Sequence, residues 1–338
     1  MDPLILLCIV VALALLFDFT NGFHDSANAI ATVVSTRVMR PTTAVLYAAA
    51  LNLVGAMLGT KVAATIGSGL VNSASITIYT VLFTLIAAIC WNFLTWYKGL
   101  PTSSSHALIG SLLGATYFSD THGWDNIHFD KFIEKVLLPM IGSPFMGFAI
   151  GFLVMLGLTW LVFRQHLQRI NFVFSKLQIV SAGFMAVNHG LNDAQKSMGI
   201  IALALLLVYP LPAGSDFIVP LWVKISCAAF MGLGTAMGGW RIVRTLGSRV
   251  IKLHPIHGFA CETTASIVLA TTAHFGIPVS TTHVISSSIM GVGATRRLSA
   301  VRWGVVGNIV WAWVLTIPLT FLLAGGLMKL FLLTTTTP

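Results

Sequence analysis

Residues 99–106 read Gly99-Leu-Pro-Thr-Ser-Ser-Ser-His106, and 177 residues later the chain reads Gly276-Ile-Pro-Val-Ser-Thr-Thr-His283. The two copies keep Gly, Pro, a hydroxyl cluster and His at one spacing. A second pair agrees with the first: Gly22-Phe-His-Asp25-Ser-Ala-Asn28 returns 168 residues later as Gly190-Leu-Asn-Asp193-Ala-Gln-Lys196. Similar offsets read as an internal duplication. The join falls in the basic stretch Arg164 to Lys176, which gives a first repeat over 1–163, a linker over 164–176 and a second repeat over 177–338.

The chain around these motifs has the composition of a lipid-embedded protein. Of its 338 residues 56% are hydrophobic and 9% charged, with a mean hydropathy of +0.89, whereas soluble domains carry roughly 25% charged residues. Apolar runs such as Leu4 to Phe17 are continuous, which excludes a barrel whose strands alternate. The fold class is therefore an all-α polytopic membrane protein. At about 20 residues per crossing the length allows about 10–12 segments and no separate soluble domain.

The net charge of +9 reports topology and excludes a nucleic-acid partner. Twelve of the 19 Lys and Arg residues sit in four short loops: Arg37 and Arg40; Arg164, Arg169 and Lys176; Arg241, Arg244, Arg249 and Lys252; and Arg296, Arg297 and Arg302. The acidic residues Asp120, Asp125, Asp130, Glu134 and Asp216 collect in the other connections. Basic loops inside place both termini outside, and they give the two repeats opposite orientation. Inverted repeats with paired broken helices are the architecture of secondary transporters, whose site lies near the midplane. Two stretches, Phe17 to Asn28 and Asn188 to Ser197, carry Gly and charge inside long apolar segments and read as such breaks. Asp2 and the lack of a positive leading segment mark the first helix as retained. Cys8, Cys90, Cys227 and Cys261 show no ligand spacing and read as small core residues, so neither disulfide nor metal site is expected.

Each Ser/Thr cluster follows a helix that stops at Gly and restarts with Pro at its first position. Ser103, Ser104 and Ser105, or Ser280, Thr281 and Thr282, then form the first turn of a new helix, where free N–H groups and hydroxyls favour an anion. Two re-entrant hairpins, over 84–118 and 262–294, would bring both tips around one tetrahedral oxyanion. A single Ser-rich turn is more simply a helix cap; duplication of the whole spacing favours the site. His106 and His283 either donate to that anion or hold a turn.

The intramembrane charges are Asp18, Asp25, Asp193, Lys196 and Glu262. Each costs about 2.5–3.5 kcal/mol at a helix centre and so calls for a compensating partner or proton. Asp25 and Asp193 are equivalent in the duplication and, with Asn28, Asn192 and unwound carbonyls, suit a hard cation. Glu262 suits a cation or a proton; His24, opposite Asn192, suits a proton or a structural bond. Lys196 stands opposite Asn28, either as a tethered cation beside Asp193 or as an ammonium reaching for the interface.

The stretches GFHDSANAIATVVSTR (22–37), WNFLTWYKGLPTSSSH (91–106), GLNDAQKSMGI (190–200) and GIPVSTTH (276–283) resemble the inorganic phosphate transporter (PiT) family, particularly its bacterial low-affinity branch. The resemblance covers nearly the whole chain in order. It implies symport of inorganic phosphate with H+ or Na+, free or as a metal-phosphate complex, in a cell membrane, often as a homodimer, with no other cofactor. It also implies that Asp25, Asn28, Asn192 and Asp193 form the duplicated signature and that the Ser/Thr clusters are the phosphate-binding tips. His24 stands where many relatives carry Asn, and the hydrophilic central loop of longer members is reduced to Arg164–Lys176.

Three rivals follow from the same residues. A sulfate permease of this fold would use the same donors, but phosphate near neutral pH keeps a proton to donate to Asp25 or Asp193 and sulfate has none. An intramembrane Ser/His hydrolase lacks a GxSxG elbow and has no use for a duplicated constellation. A passive anion channel would not accumulate its ion.

Overall fold

A computed structural model describes residues 2–68, 71, 76–119, 123–210 and 218–336; Asp120 and Asp216 lie outside them. The described chain is helical. In order it forms α1 (Pro3–Ser35), α2 (Pro41–Met57), α3 (Lys61–Ser68), α4 (Ile78–Lys98), α5 (Ser104–Tyr117), and α6 (Phe129–Phe132), which runs through a π turn into α7 (Leu138–Val162). Then follow α8 (Leu167–Val208), α9 (Leu221–Met237), α10 (Trp240–Arg244, continuing as a π turn to Arg249), α11 (Pro255–His274), α12 (Thr281–Ala294) and α13 (Trp303–Thr336).

Local sequence explains the main boundaries. Asp2 caps α1 by accepting from the Leu4 N–H at 2.9 Å, with Pro3 at the first position. Thr77 and Thr80 form a reciprocal capping box at the start of α4, and Gly99 ends that helix in the left-handed conformation at φ 66°. Among the described residues five helices are long and apolar enough to cross a membrane, or six if α9 and α10, bent by 57°, count as one span. Large apolar side chains face outward on them, as at Trp160 and Leu161, 72% and 75% exposed. In water that would be costly; in lipid it is the expected surface.

Two expectations from sequence are corrected. Neither α1 nor α8 is broken: α1 runs 33 residues and α8 42 residues without interruption. Gly22 and Gly190 serve contact instead, because a Cβ there would collide with the backbone of Met231 and of Asn52 on the facing helices. With the i to i−4 bonds intact, Asp25 and Asp193 have no unwound carbonyls beside them. The real break is at Gly238-Gly239, between α9 and α10, where Gly238 takes φ 72°. The basic linker is mostly helix, since α8 begins at Leu167 and only 163–166 form the connection.

Helices α1 and α8 cross the centre of the molecule. On α1, Leu7 to Phe17 belong to one apolar cluster and Ala27 to Val33 to another. On α8, Met185 and Ala186 belong to the second cluster and Ala194 to Ala204 to the first. Between these stretches α1 and α8 carry buried polar side chains, including Asp25, His189 and Asp193, with the buried Lys196 one turn further along α8. Helix α4 folds back against α5, and α11 against α12; α5 then packs on α13, and α12 on α7.

Candidate functional site

The two Ser/Thr helix starts are built alike. Ser103 and Ser280 are N-caps, and their hydroxyl oxygens accept from the His106 and His283 N–H groups at 3.1 Å each. Pro101 and Pro278 lie before the caps, not at the first helical position as sequence suggested. Each hydroxyl cap satisfies the N–H of the third helical residue, and it leaves the N–H groups of Ser104, Ser105, Thr281 and Thr282 without intrahelical acceptors. The two starts meet: the His106 and His283 rings pack edge to face with centroids 4.8 Å apart, and His283 stacks on Trp313 at 4.0 Å. Trp313 in turn donates to the Pro101 carbonyl at 2.9 Å, tying α13 to the first tip.

Both helix starts face the two aspartates. Ser104 donates to Asp25 Oδ2 at 2.9 Å, Thr282 to Asp25 Oδ1 at 3.3 Å, and Thr281 to Asp193 Oδ2 at 3.2 Å. Asn28 Nδ2 donates to the Thr282 and Thr281 hydroxyls at 2.9 and 3.2 Å. His24 Nδ1 lies 2.6 Å from Asp25 Oδ1, and its Nε2 lies 3.1 Å from the Thr95 hydroxyl. Lys196, 1% exposed, donates to Asp193 Oδ1 at 2.7 Å. The ammonium therefore does not reach for the interface: three residues along a helix, it sits beside its carboxylate. Ser105 Oγ, Asn28 Oδ1, Asn192 Oδ1 and His106 Nδ1 are buried with no hydrogen-bond partner in the protein. Polar atoms so placed are costly unless a ligand or water meets them.

His189, one of four histidines that sequence singles out but the one it gives no role, joins this group. Its Nε2 lies 3.2 Å from Asp193 Oδ2, and its Nδ1 is 3.2 Å from Asn52 Oδ1. The signal was available, since His189 and Asp193 are four residues apart on one helix face. Sequence gave no metal site, yet Asp25, His189 and Asp193 each present a ligand atom, all within 4.8 Å of one another. One histidine nitrogen and two carboxylate oxygens form a partial ligand set for a borderline or hard divalent ion.

Other predicted residues make their bonds outside the Asp25–Asp193 hydroxyl network. Glu262 accepts from Thr32 at 2.6 Å, from Gln178 Nε2 at 3.0 Å and from Ser181, so its carboxylate is satisfied by three neutral donors. Asn192 spends its amide N–H groups on the Asn188 and Leu269 carbonyls. Asp18 is fully buried beside Ser197 and Cys227. Of the cysteines only Cys227 and Cys261 are core; Cys8 and Cys90 are exposed on the apolar outer surface.

A duplicated set of hydroxyl donors thus surrounds two buried carboxylates in a chain of membrane-length helices. Residues 21–324 match the phosphate transporter family. This chain belongs to that family. Over 94% of its length it is 48% identical to a probable low-affinity inorganic phosphate transporter of Rhizobium meliloti (strain 1021), covering 93% of that protein. It is 42% identical to the protein of the same description from Bacillus subtilis (strain 168), over 95% of this chain and 96% of that one. A solved structure titled the sodium-dependent phosphate transporter shares the fold, with a TM-score of 0.87 over 97% of this chain and 99% of the other at 24% identity. The family and these relatives are transporters and not hydrolases, and the sulfate alternative finds no support among them.

Proposed function

We propose that this member of the phosphate transporter family imports inorganic phosphate across a cell membrane by cation symport, from a site between the α5 and α12 starts. The observation that carries the reading is the convergence of Ser104, Thr281 and Thr282 on Asp25 and Asp193. An entering phosphate takes the hydroxyls and the free N–H groups of both tips, and its own proton bonds a carboxylate released from them. Asp25, with His24 at 2.6 Å, is the seat of the mobile H+ or Na+. Lys196 is a tethered cation that compensates the charge of Asp193 in place of a second ion.

Two inverted repeats, with α1 matched to α8 and the α4–α5 hairpin to α11–α12, underlie this arrangement; the paired packing of α5 on α13 and α12 on α7 supports it. With both hairpins counted as re-entrant, the chain forms the expected 10–12 segments and both termini lie outside. A metal-phosphate complex is a second reading, favoured by the Asp25, His189 and Asp193 cluster. The test is labelled phosphate uptake into proteoliposomes with Na+ and pH gradients imposed separately, with sulfate as competitor and divalent ions added or chelated. Accumulation driven by one gradient is expected, and divalent dependence separates the second reading. Uptake that never exceeds equilibrium overturns symport.

A further inference from the structure

The hinges of the two hairpins are held in one manner. Gly99 and Gly276, each at φ 66°, lie against Arg241 and Lys61, where an added Cβ would meet the carbonyl oxygen at 3.4 Å in both cases. Thr245 donates to the Gly99 carbonyl and Thr65 to the Gly276 carbonyl, both at 2.9 Å. Arg241 donates to the Tyr97 carbonyl, and Lys61 to the His274 carbonyl at 3.0 Å. Each cation thus caps the end of the helix that leads into the hinge. One cation per hinge completes this clamp.

At the Gly99 hinge there are three more. A cavity of about 350 Å³ is lined by Lys98, Gly99, Trp240, Arg241, Arg244 and Arg249. Beside the Gly276 hinge the corresponding cavity, about 260 Å³, has Lys61 as its one fixed cation, among Leu58, Leu191 and Ala270. The second hinge serves as an internal control: the clamp needs neither Lys98 nor Arg244 nor Arg249. A topological bias of basic residues accounts for their side of the membrane but not for their convergence on one cavity. Among the described residues none of the four cations is within ion-pair distance of a carboxylate, so their mutual repulsion is offset by no acidic side chain.

We propose that this cavity is a second anion site, separate from the central one, that takes a phosphoryl group. Guanidinium groups bind phosphate oxygens through paired N–H donors, and three of them line this cavity. Arg241 also lies over the Trp96 and Tyr97 rings, at 5.7 and 4.6 Å to their centroids, and Trp240 lines the cavity wall. Aromatic rings beside a basic pocket are the setting of a phospholipid headgroup at the membrane boundary, and free inorganic phosphate offers the same chemistry. Because Arg241 holds both the cavity and the Tyr97 carbonyl, an occupant bears directly on the hinge of the α4–α5 hairpin.

The test counts ligands on the full chain and on an Arg244→Gln/Arg249→Gln variant in phosphatidylcholine nanodiscs. One arm adds phosphatidylglycerol and counts retained lipids by native mass spectrometry; the other titrates labelled inorganic phosphate at equilibrium. The wild type should hold one more ligand per chain than the variant, with affinity at least about tenfold higher. A difference confined to the lipid arm assigns a headgroup, and one confined to the phosphate arm assigns the free ion. Equal counts and affinities in both arms overturn the proposal. Lys98→Gln, at the last residue of α4, repeats the comparison should the double variant misfold, and equal binding there overturns it likewise. Phosphate bound at the central site is common to all the proteins, so the difference is independent of the transport reading.

Discussion

Replacing Lys196 by Gln tests the centre of the site most directly. The ammonium lies 2.7 Å from Asp193 Oδ1, with the lysine 1% exposed and the aspartate fully buried. At an effective dielectric of about 20 the attraction at that separation is about 6 kcal/mol, against which the desolvation of both ions is set. Removing one partner leaves the other as an uncompensated buried charge, and such losses measure about 3–5 kcal/mol. Asp193 would keep the Thr281 hydroxyl at 3.2 Å and His189 at 3.2 Å, neither of which carries a fixed positive charge. Lys196→Gln should therefore lower the melting temperature of the purified protein by several degrees, at about 2–4 °C per kcal/mol, and abolish uptake at about pH 6 to 8. Lys196→Gln combined with Asp193→Asn removes the orphan charge and should recover most of the stability without recovering uptake. The assays are thermal unfolding in detergent and phosphate uptake in proteoliposomes. Wild-type melting and uptake in the single variant would refute the reasoning.

Four further outcomes follow from the same geometry. Lys196→Asn gives the second half the amide that Asn28 gives the first, so Asp193 then requires a free cation, and phosphate binding should become steeply dependent on Na+; binding as indifferent to Na+ as in the wild type contradicts a tethered-cation role. Ser104→Ala with Thr281→Ala removes one donor from each helix start at about 1–3 kcal/mol apiece, which predicts at least a tenfold loss of phosphate affinity with melting preserved; calorimetric titration checks it. Glu262→Leu leaves Thr32 and Gln178 Nε2 without their acceptor, while Ser181 keeps the Gln178 carbonyl, so unfolding should be easier by about 2 kcal/mol or more, measurable by denaturant titration in mixed micelles. Gly99→Ala forces a side chain to φ 66° against Arg241, costing about 1–2 kcal/mol, whereas Gly142→Ala on α7 meets nothing within 4 Å and should be neutral or stabilising; comparing the two melting curves decides it.

The sequence by itself determined the solvent, the secondary structure class and the chemistry of the helix starts. Continuous apolar runs leave the backbone no partner in lipid but its own helix, and a Gly-x-Pro-x-Ser pattern stops and restarts that helix locally, so both are legible one segment at a time. Asp25, Asp193 and the hydroxyl pairs were legible because duplication printed them twice. Tertiary structure decided the rest. Gly22 and Gly190 look like breaks in one dimension, and only the facing helix shows them to be sites of close approach. Lys196 has two physically sound destinations in sequence, and its burial beside Asp193 depends on how α8 crosses α1. Asn52 on α2 holds the other ring nitrogen of His189, a partner 137 residues away, and Glu262 is satisfied from α1 and α8 and not from the central site. The four cations of the Gly99 cavity come from the end of α4 and from α10, more than 140 residues apart in the chain. Whether a charge inside the bilayer is paired, capped or left to meet a ligand is a property of its neighbours across helices, and sequence spacing reports only neighbours along one helix.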